Sequence, residues 1–295
     1  MAGATATAGE RLRVEANGLR FAALAWGPAD GPLALCLHGY PDTARTWRHL
    51  GPYLAERGWR VVAPWTRGYA PTDLAPDGDY SMAALARDAA ALHGALAGDE
   101  RAVLIGHDWG AETAYVLGAH SPRLFGRHVA LAVPPDPAIV AALRDPRLAA
   151  RQLRRSWYMF FQLVPGVSER ALRRVIPKLW RDWSPGYDAS DDVPEVLASL
   201  AGPRNRTAAL RYYRETVPRA LAQARRPPAV DDSPRPPTLF LYGDRDGCLL
   251  PDVSAHATDL LRPPSRVEVV PGAGHFLHLE QPDAVNSLIE EFIGG

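Results

Sequence analysis

Between residues 12 and 26 two apolar-rich segments, the first strictly alternating apolar and polar, flank Asn17-Gly18. That dipeptide tolerates two successive positive-φ positions, so the pattern predicts an antiparallel hairpin of strands at 12–16 and 19–26. From residue 33 the pattern changes. Leu33-Ala34-Leu35-Cys36-Leu37 is apolar without a break and runs into His-Gly, as a strand covered on both faces by helices does. Runs of the same kind recur at 59–63, 102–105, 129–133 and 238–242, with helical stretches at 43–57, 81–96 and 111–120 between the earlier ones. This rhythm predicts an α/β fold, a mostly parallel, doubly wound sheet of about eight strands.

The rhythm stops at Pro134-Pro135-Asp136-Pro137. From there to residue 228 no strand-like run appears, and apolar and aromatic residues recur at helical spacing over 151–163, 168–180 and 206–216. The pattern predicts a helical insertion whose return to the sheet is marked by Pro227-Pro228 and the prolines at 234–237. A helix at 253–261, a strand at 266–270 and a C-terminal helix at 283–292 complete the chain. The organisation read from this is a core in two parts, 1–136 and 229–295, interrupted by a helical cap at 137–228. The first ten residues have no periodicity and read as a loose tail.

Composition narrows the function. The chain has 295 residues, 47% of them hydrophobic, with 33 Lys+Arg against 33 Asp+Glu and a pI near 7.1. Zero net charge lacks the electrostatic footprint that phosphate neutralisation requires, so nucleic acid is not expected as a partner. No apolar run approaches the roughly 18 to 20 residues of a membrane span, and the N-terminus has no signal-peptide pattern, so the expectation is a cytoplasmic protein without membrane association. Cys36 and Cys248 belong to no CxxC or His/Cys cluster and read as buried thiols. No disulfide, metal or cofactor is expected. Residues 141–230 carry 17 Arg/Lys against 8 Asp/Glu, a surplus read as a solvated helix face.

The sharpest local feature is Gly106-His107-Asp108-Trp109-Gly110-Ala111, where an apolar strand meets a helix with small residues at 106, 110 and 111. Those offsets permit an abrupt strand-turn-helix whose middle residue projects above the sheet in strained geometry. In the esterase form of this elbow that residue is serine. Here it is Asp108, and no G-x-S-x-G occurs in the chain. A carboxylate nucleophile attacks an sp³ carbon and leaves an alkyl-enzyme ester, which moves the expected substrate from acyl compounds to alkylating ones. The plainer role for Asp108 is a helix N-cap.

Gly243-Asp244-Arg245-Asp246 follows one apolar strand and Gly274-His275 follows the next. An acid and a histidine at the carboxyl ends of these strands converge on the edge that carries Asp108, in the chain order nucleophile, acid, histidine. His275 is then the general base for water and Asp246 its orienting partner. Asp244 rivals Asp246, and His278 rivals His275 but lies further into apolar sequence and reads as a packed or capping residue.

His38-Gly39-Tyr40-Pro41, Gly106-His107-Asp108-Trp109-Gly110, Gly243-x-x-Asp246 and Gly274-His275 together resemble the α/β-hydrolase superfamily, specifically its epoxide hydrolases, over nearly the whole chain from residue 12. The resemblance implies a lid of inserted helices over the sheet's carboxyl edge and an oxyanion hole of the Tyr40 and Trp109 backbone amides. It also implies two lid tyrosines that protonate the opening epoxide, on segments similar to Ser156-Trp157-Tyr158 and Leu210-Arg211-Tyr212-Tyr213. These point to Tyr158 and Tyr213, with Tyr212 adjoining the second. His38, Pro41, Trp157 and Phe161 are the expected substrate-pocket residues. The expected partners are a small-molecule epoxide and water, with the protein a monomer or homodimer.

A haloalkane or haloacid dehalogenase is the alternative, since it shares the aspartate nucleophile and histidine-activated water. The Trp109 indole N–H suits a halide, whereas the paired tyrosines suit an epoxide oxygen. A relative that only binds a ligand is the third reading, disfavoured because no member of the triad is missing.

Overall fold

The computed structural model describes residues 9–223 and 235–294. Most of the expected N-terminal tail, Pro227-Pro228 and the cap boundary at 228/229 lie outside the described residues. The chain opens with β1 (Glu10–Ala16) and β2 (Leu19–Trp26), antiparallel around Asn17 and Gly18. Both turn residues have positive φ, 49° and 74°. The sheet continues through β3 (Leu33–Leu37), β4 (Arg60–Pro64), β5 (Val103–His107), β6 (Arg127–Leu131), β7 (Thr238–Gly243) and β8 (Arg266–Val270). Its order is β1-β2-β4-β3-β5-β6-β7-β8. β2 meets β4 antiparallel, and every pairing from β4 to β8 is parallel.

Unbroken apolar runs are explained by cover on both faces. In β3, Ala34 and Cys36 pack with Leu50 of α1 (Leu50–Ala55), whereas Leu35 and Leu37 turn to the opposite face, where Leu92 of α2 (Met82–Ala95) and Leu117 of α3 (Trp109–His120) join them. The region 43–57 is not one helix. A 3₁₀ turn at Ala44–Arg48, capped by the Thr43 hydroxyl, precedes α1. A continuous helix would place Pro52 in its interior, where the missing N–H breaks the ladder, whereas a start at Leu50 leaves Pro52 in the first turn, where no N–H is needed.

Between β6 and β7 the described residues form only helices and turns: α4 (Asp136–Ala142), α5 (Pro146–Arg155), α6 (Trp157–Gln162), α7 (Val167–Trp183), α8 (Asp192–Ser199) and α9 (Pro203–Gln223). The stretch expected as one helix at 151–163 is interrupted at Ser156, whose ψ of 11° ends α5. These helices rest on loops at the carboxyl ends of the strands. The Tyr212 hydroxyl donates to the Arg67 carbonyl at 2.8 Å, Trp180 Nε1 to the Pro41 carbonyl at 2.8 Å, and Gln162 Nε2 to the Tyr40 hydroxyl at 2.9 Å. Arg67 is itself fixed by a buried bidentate pair with Asp88, both contacts at 2.6 Å. Such paired forks supply direction as well as energy.

After β7 come α10 (Pro251–Ser254) and a 3₁₀ turn at Ala255–Asp259 in place of one helix at 253–261. After β8 come α11 (Leu277–Glu280) and α12 (Pro282–Gly294). Cys36 and Cys248 are buried free thiols.

The elbow depends on backbone contact between β5 and α3. A Cβ on Gly106 would lie 2.1 Å from the Gly110 carbonyl oxygen, whereas one on Gly94 in α2 would meet nothing within 4 Å. Gly106→Ala should therefore cost at least about 2 kcal/mol in urea unfolding. Gly94→Ala should be neutral or stabilise by about 0.5 kcal/mol. Equal midpoints for the two variants would contradict this account.

Candidate active site

Asp108 sits between β5 and α3 with φ 51° and ψ −114°, a conformation that favours glycine and is held here by its surroundings. Its side chain makes no N-cap hydrogen bond, which removes the capping role. Instead Asp108 Oδ1 accepts the Tyr40 backbone N–H at 2.7 Å. The loop after β3 passes so close that a Cβ on Gly39 would lie 2.3 Å from Asp108 Oδ1. Trp109 is the first residue of α3, so no carbonyl within the helix can take its amide.

His275 faces Asp108 from the loop after β8. Its Nε2 lies 3.7 Å from Asp108 Oδ2 and its Nδ1 2.9 Å from Asp246 Oδ2. Asp246 is completed by the backbone N–H groups of Cys248 at 2.7 Å and Leu249 at 3.0 Å, both on Oδ1. The rivals have other duties. Asp244 accepts the Gly272 N–H at the exposed edge, and His278 pairs with the Thr46 hydroxyl at 2.5 Å while stacked on Trp47. Burial pushes the His275 ring toward the neutral form, but Asp246 and then Asp108 outweigh it and hold the imidazole up at about 10.

Aromatic rings surround the carboxylate on its other side. Tyr213 packs edge-on against Tyr40, Trp109 and Tyr158, at centroid distances of 5.2, 4.9 and 5.8 Å. Burial first, and then neighbours that include Asp108, raises the phenols of Tyr158 and Tyr213 well above the usual range, so both stay protonated. The Tyr158 hydroxyl meets Cys248 Sγ at 3.3 Å. That of Tyr213 has no hydrogen-bond partner among the described residues. Tyr212, by contrast, is committed to the Arg67 carbonyl.

The expected pocket residues divide. Pro41 is buried beside the site, its carbonyl taken by Trp180. Phe161 is half-buried and packs against the cluster that contains Tyr158 and Tyr213. His38 is not free to face a substrate: its Nδ1 is hydrogen-bonded to the Gly39 carbonyl at 2.8 Å and its Nε2 accepts the Thr66 N–H at 3.0 Å, so it braces two loops. Trp157 is 37% exposed on the outer side of α6, because a helix that turns Tyr158 and Gln162 inward turns residue 157 away.

Sequence reasoning missed three positioning groups. Gln162 holds the Tyr40 hydroxyl. Gln152 binds the Cys248 carbonyl and the Leu250 N–H, fixing the loop beyond Asp246. The Trp183 carbonyl accepts both the Gly247 N–H at 2.9 Å and the His275 N–H at 3.0 Å. Gln162 is a polar residue in an otherwise apolar or aromatic stretch, a signal that was present, whereas Gln152 is one polar residue among the arginines of α5 and carries none. Asp42, His107 and His278 are the described residues that come nearest to a metal set, each offering an atom within 4.8 Å of the others. The Arg48 guanidinium, which helps burial to depress His278, opposes a second positive charge there.

The profile of the alpha/beta hydrolase fold family matches residues 32–282. The AB hydrolase superfamily protein YfhM of Bacillus subtilis is 30% identical over 287 residues, covering 95% of this chain and 96% of that protein. Epoxide hydrolase A of Mycobacterium tuberculosis is 30% identical over 323 aligned positions, covering 97% of each. The crystal structure of Epoxide Hydrolase A from Mycobacterium thermoresistibile superposes with a TM-score of 0.78 at 26% identity, covering 97% of this chain and 98% of that one. With its sheet order, its elbow and these relatives, the chain belongs to the alpha/beta hydrolase fold family.

Proposed function

We propose that the protein is an epoxide hydrolase that converts an apolar epoxide to a vicinal diol beneath a lid formed by the helices of 137–228. The observation that carries this reading is the pair of buried phenols set against an elbow carboxylate whose far side faces an Asp-paired histidine. The names of the relatives support it.

Asp108 attacks an epoxide carbon from behind, the C–O bond breaks, and the oxygen takes a proton from Tyr213 or Tyr158. The product is a β-hydroxyalkyl ester on Asp108. Before this step two carboxylates hold the His275 imidazole up at about 10, which makes it a poor base. Esterification removes one of those charges, the imidazolium gives up its proton to restore the tyrosinate to a phenol, and the ring becomes a base only once there is an ester to hydrolyse. It then takes a proton from water, the hydroxide adds to the Asp108 carbonyl, and the Tyr40 and Trp109 amides receive the developing oxyanion. Collapse expels the alkoxide, which takes the proton from His275 and leaves as the diol, and the acid formed on Asp108 returns its proton to the imidazole to restore the carboxylate.

The alternative, a dehalogenase, rests on one observation: Trp109 Nε1 is buried without an acceptor, which a halide would supply. Parallel assay with styrene oxide, an aliphatic epoxide and a haloalkane separates the two. Halide release with no diol from either epoxide would overturn the epoxide reading.

Because oxygen enters through the carboxylate, a single turnover in ¹⁸O-water should label Asp108 and leave the first diol unlabelled. His275→Gln should trap the ester, seen as the added mass of substrate on the intact protein. Label in the first diol would mean that water attacks the epoxide directly.

Phenylalanine keeps the ring and removes the acid. The Tyr158→Phe/Tyr213→Phe double variant should lose roughly 10² to 10⁴ in ring opening. Tyr213→Phe should cost more than Tyr158→Phe, whose hydroxyl rests on Cys248, and Tyr212→Phe should leave ring opening near wild type. Wild-type rates in the double variant would show that other groups protonate the oxygen.

Asp108→Asn should lower the His275 pKa in ¹⁵N NMR titration. Since the folded-state value lies above the ordinary 6.5, the ring's stabilising contribution is complete below pH 6.5 and is lost as pH rises through about 10. The urea midpoint should fall across that window in wild type and fall less in Asp108→Asn.

A further inference from the structure

Helix α6 keeps different company on its two sides. Tyr158 and Gln162 face the site, whereas Trp157 and Phe160 are 37% and 41% exposed. The apolar surface extends along the chain to Leu153 at 54%, Val164 at 46% and Val167 at 52%. Within α6 the spacing of Trp157 and Phe160 is that of one helix face, and Leu153 of α5, Val164 of the following turn and Val167 of α7 are exposed on the segments that flank it. Isolated exposed apolar residues need no explanation, but a run that contains Trp and Phe does.

The charge around this run has one sign. Residues 143–178 contain nine Arg/Lys and two Asp/Glu, and one of those acids, Glu169, is taken by Arg214 at 2.7 Å. Among the described residues, Arg144, Arg147, Arg154, Arg170, Arg173 and Arg174 form no ion pair with a carboxylate. Lys178 Nζ, which is paired with Asp182 at 2.5 Å, lies 6.0 Å over the Trp157 ring, so the basic side chains of α7 reach the apolar surface. A two-fold contact with a second copy would set these cations against their own mates. An apolar strip of Trp, Phe, Leu and Val beside unpaired arginines has the chemistry of an interfacial surface for anionic lipid. No described helix is long and apolar enough to cross a membrane, which leaves contact from one side.

We infer that the outer face of α5, α6 and the start of α7 docks on an anionic lipid surface, with Trp157 and Phe160 entering the headgroup region and the arginines meeting lipid phosphates. The inference stands apart from the proposed chemistry, since docking is measured without turnover. It departs from the expectation of no membrane partner only as to contact at the surface.

The full chain is sedimented with vesicles of phosphatidylcholine alone and of phosphatidylcholine mixed with phosphatidylglycerol, and Trp emission is followed. Pelleting with a blue shift is expected only with phosphatidylglycerol. Trp157→Ser/Phe160→Ser should weaken it at least tenfold with an unchanged circular dichroism spectrum. Each of Arg147→Gln, Arg154→Gln and Arg174→Gln should weaken it about fivefold. No pelleting with phosphatidylglycerol would overturn the inference, as would equal pelleting of the serine double variant. So would a stable dimer in light scattering that the serine double variant dissolves without any vesicle binding by wild type, which would assign this face to a second copy.

Discussion

A carboxylate held almost out of water must be met by donors, and in this protein that requirement is concentrated on Asp108, which is 6% exposed. The donor on Oδ1 is a backbone amide, Tyr40 N–H. Side chains carrying donors can swing, but an amide brings its whole loop with it. The loop after β3 must therefore lie against the elbow, which is possible only because residue 39 has no Cβ, and the start of α3 must lie against both β5 and the end of β3, which is possible only because residues 106 and 110 have none. His38 then fastens that loop to Thr66, and Gln162 fastens the Tyr40 ring to α6. The chemistry of one side chain thus sets the packing of two strands, a helix and a piece of the inserted segment.

The parallel core was legible because its strands β3 to β7 are buried on both faces, a condition that leaves a mark at nearly every position, whereas edge strand β8 buries only Val270 fully. Helix continuity was less so. Pro52 and Ser156 divide what apolar spacing alone reads as single helices, and in the second case the division follows from tertiary contacts: Gln152 is engaged with the Cys248 carbonyl and the Leu250 N–H. The triad residues were named from short motifs at strand ends, and the structure brings Asp108, His275 and Asp246 within contact of one another.

Spacing could not rank Tyr212 against Tyr213, since neighbours on a helix differ by about 100° and either can be turned inward. The distinction lies in an acceptor contributed by a distant loop, the Arg67 carbonyl, which engages Tyr212. The placement of His38, braced between two loops, and of Trp157, turned outward, escaped the sequence for a related reason. A motif gives a residue's place along the chain, whereas the direction of its ring depends on partners such as Thr66 and on which side of a short helix faces the core.

The shared carbonyl of Trp183 has a mechanical meaning. It accepts the amide beyond Asp246 and the amide of His275 itself, so the end of α7 is riveted to both residues of the hydrogen-bonded His275–Asp246 pair. Next to it the Ser184 hydroxyl and Phe276 N–H, and Glu280 with the Gly274 N–H, tighten the same joint. Any swing of α7 away from the sheet would drag His275 out of line with Asp246, which makes this helix a doorpost.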